Sequence, residues 1–441
     1  MKKNFLNKLA ALVLALILVL SLAACTETES SGSSREAGQN AAQNGTQAAS
    51  QNGSGNGAAN GNETETRGAS ADNSGAGSTE VSDADRALDA ADLFTKRDLE
   101  QTADLSEAVA YAVSDGSDLR ITAAGVYVLT GSAKNVTLYV EAGDEDKVQL
   151  VLDGLTVTND DFPVIYVKNA DKVFLTTAEG SENSLAVTGT FRADGTTNTD
   201  AVIFSRDDLV FNGLGSLTIS SSDNGVACKD GIKVTGGVLS VTAADCALEV
   251  KDFFAMYNGD VTLTAKNDGV HAEDDDDDSV GWVYLGGGSL NVTAGDDGIH
   301  ATTIVQIDGG AVTVSAAEGI EGTWIQFNDG EVTVSASDDG VNAAAKSRSY
   351  AVQVEINGGT LTVSMGHGDT DGIDSNGSLL ITGGTVSVTA QSAFDWDGTL
   401  TWTGGTVYVN GTQVTEITNQ FGGMGGFGGQ GGWGGGPGGR R

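Results

Sequence analysis

The chain has 441 residues, with 23 Lys and Arg against 60 Asp and Glu, a formal net charge of −37, 63 glycines and only 2 prolines. That balance argues against a nucleic-acid partner and for cations or neutral ligands. The length would admit two or three ordinary domains, but an internal repeat sets that arithmetic aside.

Lys2, Lys3 and Lys8 flank the start of an uncharged apolar run over 9–20, the pattern of an export signal. Leu22-Ala23-Ala24-Cys25 then matches a bacterial lipobox, in which Cys25 becomes the lipidated N-terminus. Diacylation supplies the two chains that stable anchoring requires. The expectation is an exported lipoprotein, held to the cell membrane only through its lipid and facing the extracellular side. Residues 26–80 are almost all Ser, Gly, Asn, Ala, Gln, Thr and Glu, with no aromatic residue. Such a segment reads as a disordered tether with a reach of about 40 Å. Residues 83–113 carry a helical pattern with Ser82 or Asp83 as N-cap, expected to cover one end of the folded body.

From 119 onward short apolar/hydroxyl alternations rich in Val, Ile and Thr are broken by Gly, Asn and Asp, which predicts strands. A phrase then recurs: NDGVHA at 267–272, DDGIHA at 296–301, AEGIEG at 317–322, DDGVNA at 338–343 and TDGIDS at 370–375. Gly298, Gly319 and Gly340 are 21 residues apart, and each unit adds a strand such as GGAVTVSA (309–316). A strand-and-turn period of that length predicts an all-β solenoid, a parallel β-helix with coils of about 21–22 residues. The folded domain is placed at 81–417 and a disordered Gly-rich tail at 418–441. Insertions at 272–284 (Glu273, Asp274 to Asp278) and 344–352 (Lys346, Arg348, Tyr350) are expected on one face.

Aligning the repeats on their apolar residue stacks Val226, Leu248, Val270, Ile299, Ile320, Val341, Ile373 and Phe394. Acidic residues fall in rows beside that column: Asp245, Asp296 and Asp338; Asp268, Asp297, Glu318, Asp339 and Asp371; Glu249, Glu321 and Asp374. Bare carboxylates about 4.8 Å apart repel by about 3.5 kcal/mol at an effective dielectric of 20, so bound cations are expected between them. Calcium, which takes six to eight oxygens, suits such rows. His and Cys look too sparse here for zinc, and His271 and His300 are expected to stack or to bond a neighbouring row.

Trp282, Tyr284, Trp324 and Trp396 lie near the acidic rows and are candidate sugar-stacking residues. If the chain were a lyase, Lys229 and Lys251, at equivalent places in adjacent repeats, would be the bases. Basic residues are nearly absent from 267–343, which favours binding over catalysis. Cys228 and Cys246 could form a bridge or stay as two buried thiols, and both readings stand.

The segments AGVYVLTG, DKVQLVLDGLTV, PVIYVKNADKVFLT, FSRDDLVFNGLGSLTI, KDGIKVTGG and TDGIDSNGSLLITGGTV, with RDLE at 97–100, resemble a known family over about 94–417. It is a clostridial-type family of secreted carbohydrate-binding β-helix proteins, similar to polysaccharide lyases. The resemblance implies a right-handed parallel β-helix, bound Ca2+, and cellulose-like or acidic pectic glycans of plant cell walls as partners, with no need for catalysis. Glu318 and Ala317 depart from the Asp-Asp pattern. The resulting expectation is a monomeric, calcium-dependent polysaccharide-binding protein. A pectate-lyase-type enzyme and a structural wall adhesin are the alternatives.

Overall fold

The computed structural model describes residues 87–366 and 370–419, all within one compact unit, Ala76–Arg441. The export signal, Cys25, the tether at 26–80, the Ser82 or Asp83 cap and the Gly-rich tail from 420 lie outside the described residues.

The described chain is all-β apart from one short helix, with strands gathered into a 24-stranded and a 12-stranded sheet. Pairing is parallel, and from Asp208 onward each strand pairs with the strand three places later in the chain. Ala311–Ala316 pairs with Glu331–Ala336, Ile304–Ile307 with Trp324–Phe327, and Asp297–Ala301 with Glu318–Gly322. The larger sheet thus carries two series of pairings side by side. The long strand Lys147–Asn159 belongs to both, pairing with Lys172–Thr177 through its first half and with Glu182–Val187 through its second. A closing antiparallel pair, Thr406–Val409 with Thr412–Val414, ends the stack.

The alternation in the sequence decides which side chains turn inward. In Ala311–Ala316, Val312 and Val314 are buried while Thr313 and Ser315 are exposed. Val226, Leu248, Val270, Ile299, Ile320, Val341, Ile373 and Phe394 form one continuous buried column, each paired with the next. Such stacking buries apolar area on every coil without a separate core for each repeat.

Two glycine positions serve different ends. Gly310, the second of its Gly-Gly pair, has φ +87°, a left-handed conformation that disfavours a Cβ. Gly298 of Asp-Gly is limited by space, since a Cβ there would lie 2.1 Å from Val314 Cγ1. The glycine between acidic and apolar residues lets the facing sheet approach.

Of the helical pattern over 83–113, the part that is helical among the described residues is Ala90–Leu93, capped by Asp89, whose Oδ1 accepts the Ala91 N–H at 2.9 Å. Val109–Ala112 is a strand paired with Tyr127 to Thr130. Residues 87–101 instead run as a strap over the outer face of the larger sheet. Ala87 N–H donates to Gln326 Oε1 (3.2 Å), Lys233 Nζ to the Leu93 carbonyl (2.6 Å), and Asn212 Nδ2 to the Glu100 carbonyl (3.0 Å). Phe94 packs with Ala255 and Tyr284, and the Arg97 guanidinium lies 4.6 Å from the Phe174 ring centre. Side chains of the sheet satisfy strap backbone groups that a longer helix would have paired internally.

Candidate functional site

The acidic rows lie along the 12-stranded sheet. Its register pairs Ala227, Glu249, His271, His300, Glu321, Asn342, Asp374 and Asp395 in turn, and sets Asp297 against Glu318 and Asp371 against Ser392. These rows coincide with those drawn from the sequence, because each residue holds a constant distance from the buried column.

The rows divide into two chemically different halves. In the first, most carboxylates already hold protein partners. Glu249 accepts from Asn224 Nδ2 and pairs with Lys229, each at 2.7 Å, and Asp245 accepts from Asn267. Asp268 Oδ1 accepts the Asp297 N–H at 3.0 Å and its Oδ2 meets His271 Nδ1 at 2.6 Å. Burial works against the charged form of Asp268, but His271 and that N–H outweigh it and hold the carboxyl below its usual range. Asp297 Oδ2 lies 2.9 Å from His300 Nδ1, and Glu321 Oε2 lies 2.9 Å from the same nitrogen and 2.6 Å from Lys346 Nζ.

The histidines stack as expected, with ring centres 4.8 Å apart and planes within 15°. His and Cys are sparse along these rows, but the few present are gathered in one place. Among the described residues, three groups bring three ligand atoms within 4.8 Å of one another: Cys246/Asp268/His271, His271/Glu273/His300 and Asp297/His300/Glu321. Stacking in register places the two rings together, and the insertion then brings Glu273 to both. Glu273 was missed as a site residue because it lies outside the repeat.

Among the described residues, the second half, Glu318 and the rows from Asp339 to Asp395, offers only oxygen atoms as ligands. Burial, then Glu321 and Asp297, push Glu318 up to about 7. Burial, then Asp339, Asp395 and Asp371, push Asp374 up to about 7, and burial also raises Asp339. Asp339 Oδ1 accepts the Asp371 N–H at 3.1 Å, Asp371 accepts from the Ser392 hydroxyl, and Asp374 Oδ2 accepts from Asn376 at 3.1 Å. Asp296 and Asp338 are exposed beside the row. Asn342 Oδ1 and Asp395 Oδ1 are buried acceptors with no hydrogen-bond partner. Acceptor-only oxygens left unpaired among crowded carboxylates are the chemistry a hard cation answers, so this half fits calcium. Asn342 and Asp395 belong with it, in register with Glu321 and Asp374.

The two insertions meet at one corner, where Arg348 Nε lies 2.6 Å from Asp278 Oδ2. Lys229 and Lys251, the conditional bases, are both in ion pairs. Lys229 holds Glu249, and Lys251 holds Asp274 at 2.9 Å, a bond that raises its pKa above the ordinary lysine value. An ammonium held in that way is poorly suited to take up a proton.

Trp282, Tyr284 and Trp324 stand on the larger sheet, whereas Trp396 follows Asp395 on the sheet of the acidic rows. Tyr284 is 2% exposed beneath the strap and directs its hydroxyl towards Asp308, so its expected role as an open stacking face is corrected. Trp282 stacks on Phe253, with centres 4.5 Å apart and planes within 11°. Trp324 packs beside Tyr350, and Trp396 lies half-buried at the core edge. Cys228 and Cys246 are both free, the first buried and the second half-buried.

Comparison with known proteins adds the following. A curated carbohydrate-binding domain-containing protein of Acetivibrio thermocellus is 35% identical over 127 residues, which cover 28% of this chain. The chain spans 44% of that relative's length. A solved structure, the polysaccharide lyase-like protein from C. thermocellum as a gadolinium derivative, aligns with 69% of this chain and 94% of its own, at 21% identity and a TM-score of 0.39. The family described as carbohydrate-binding domain-containing protein matches residues 115–370 and 319–415, most of the described chain. This chain belongs to that family of carbohydrate-binding domain-containing proteins.

Proposed function

We propose that this chain is a calcium-dependent, non-catalytic polysaccharide-binding protein whose strand series wind as a right-handed parallel β-helix. It is held to the outer face of the cell membrane through a lipid on Cys25. The observation that carries the reading is the oxygen-only half of the acidic rows, where Asn342 Oδ1 and Asp395 Oδ1 are buried without partners among carboxylates pushed towards neutrality. Glu318, Asp339, Asp371 and Asp374 would hold the ion, with Asp296, Asp297 and Asp338 beside them. Calcium supplies a positive charge that an acidic protein otherwise lacks, and a uronate carboxylate can share it. Pectic or cellulose-like chains fit this reading. Trp282 and Trp324 share one sheet column with Ile304 between them, which puts them about 9.6 Å apart. That is a span suited to stacking on alternate sugars of a chain.

The test is retention of the protein on pectin and on cellulose, in Ca2+ and again in chelator. Retention in Ca2+ that chelation abolishes supports the reading, while equal retention in both removes calcium from it. No retention on any glycan would favour a wall adhesin. The ion-paired state of Lys229 and Lys251 weighs against the lyase. Release of unsaturated uronate, abolished by Lys251→Ala, would replace binding with catalysis.

A further inference from the structure

We propose that His271, Glu273 and His300 form a second metal site, distinct from the oxygen-only half of the rows, that takes a borderline divalent transition ion such as Zn2+ with one coordination position open.

The argument starts from the ring nitrogens. His271 and His300 are register partners on adjacent strands, and each Nδ1 faces the carboxylate three residues earlier, Asp268 at 2.6 Å and Asp297 at 2.9 Å. A carboxylate acceptor holds a proton on Nδ1, so that a metal ion displacing the proton of Nε2 meets a lone pair already oriented, the outer-shell arrangement of metal-binding imidazoles. Both Nε2 atoms point to one carboxylate oxygen: Glu273 Oε2 lies 3.6 Å from His271 Nε2 and 3.1 Å from His300 Nε2. Two ligands on a tetrahedral zinc, each bound at about 2.0–2.1 Å, lie about 3.3 Å apart. The spacing is that of ligands around a shared ion.

A separate observation points to the same place. His300 is only 5% exposed, and its Nε2 is buried with no hydrogen bond despite its closeness to Glu273. A buried ring nitrogen 3.1 Å from a carboxylate oxygen, yet not hydrogen-bonded to it, is explained by an ion beside the two. Glu273 is half-exposed at the start of the insertion, so the fourth position opens towards solvent and would take water or a sugar oxygen. Two nitrogen donors select against Ca2+, which prefers oxygen throughout. Cys246 Sγ lies beyond Asp268, 3.8 Å from its Oδ2, and is not required for the set.

The full chain is freed of metal with chelator, returned to excess Ca2+ so that the oxygen rows are satisfied, and titrated calorimetrically with Zn2+ alone. About one equivalent is expected to bind. Glu273→Gln and His271→Ala, at half-exposed positions that should fold, are expected to weaken binding at least about tenfold, and Asp297→Asn by about 10–100-fold. Co2+ gives a second readout: visible bands of nitrogen-bound cobalt in the wild type, absent in His271→Ala. No Zn2+ uptake in the presence of Ca2+, or uptake unchanged in both Glu273→Gln and His271→Ala, overturns the proposal. Because Ca2+ is present throughout, neither result depends on whether calcium supports glycan binding.

Discussion

The side-chain amide of Gln306 clasps the backbone of Leu88 in both directions. Its Oε1 accepts the Leu88 N–H at 2.6 Å and its Nε2 donates to the Leu88 carbonyl at 2.8 Å. One side chain thereby does for the strap what a neighbouring strand does for a sheet. Gln306→Leu should cost about 1–3 kcal/mol by leaving both backbone groups unpaired. Urea unfolding checks the stability, and increased quenching of Tyr284 fluorescence would report the loosened strap.

Further along the strap, Asp98 is fully buried between Lys172 Nζ at 3.5 Å and Lys233 Nζ at 3.4 Å. Burial alone would raise its pKa. The Thr95 N–H and the two ammonium groups outweigh that and hold it below 3.8. A depressed carboxyl binds its proton less tightly folded than unfolded, so its contribution is complete above about pH 4 and is lost as pH falls through the folded value. Asp98→Asn should cost about 3–5 kcal/mol by leaving the buried Lys233 without its carboxylate while Lys172 keeps Asp208 at 3.3 Å, and should flatten the acid limb of the stability curve below pH 4. Chemical denaturation from pH 2.5 to 7 measures both. An unchanged acid limb would remove this group from the account.

In the oxygen-only half, crowding of Asp374 against Asp339, Asp395 and Asp371 is the destabilising element. Asp374→Asn should therefore stabilise the protein by about 1–3 kcal/mol in chelator at pH 8, where every carboxyl is charged. The same substitution should reduce the stabilisation that Ca2+ confers on the wild type. Thermal melts with and without Ca2+ read both effects, and a variant less stable than wild type in chelator would contradict the repulsion argument.

Packing at the Asp-Gly glycine predicts a third kind of effect. Gly298→Ala puts a methyl 2.1 Å from Val314 Cγ1 and 2.6 Å from the Gly319 carbonyl oxygen, and the backbone contact cannot swing aside. A loss of about 1–3 kcal/mol is expected. Val314→Ala in the same chain should restore part of it, and a double-mutant cycle by thermal melting measures the coupling.

Much of the site was legible because a repeat makes geometry out of arithmetic. Once Ile299, Ile320 and Val341 are aligned as one column, their neighbours must form rows, and pairing of His300 with Glu321 and of Glu321 with Asn342 follows from constant spacing. Periodicity carries no information about segments outside it. The strap at 87–101 reads as a helix because its apolar spacing resembles one, whereas its backbone partners, Gln326, Gln306, Lys233 and Asn212, lie more than a hundred residues away. Tyr284 was misjudged for the same reason, since what buries it is that strap.

The sequence by itself determined the strand content, the register of the rows and the acidic character of one edge, because a constant period with alternating side chains permits one stacking. Only the tertiary structure decided which carboxylates are already paired, which oxygens are orphaned, and that His271 and His300 turn their Nε2 atoms to Glu273. Those outcomes depend on side-chain directions and on an insertion whose path no repeat dictates.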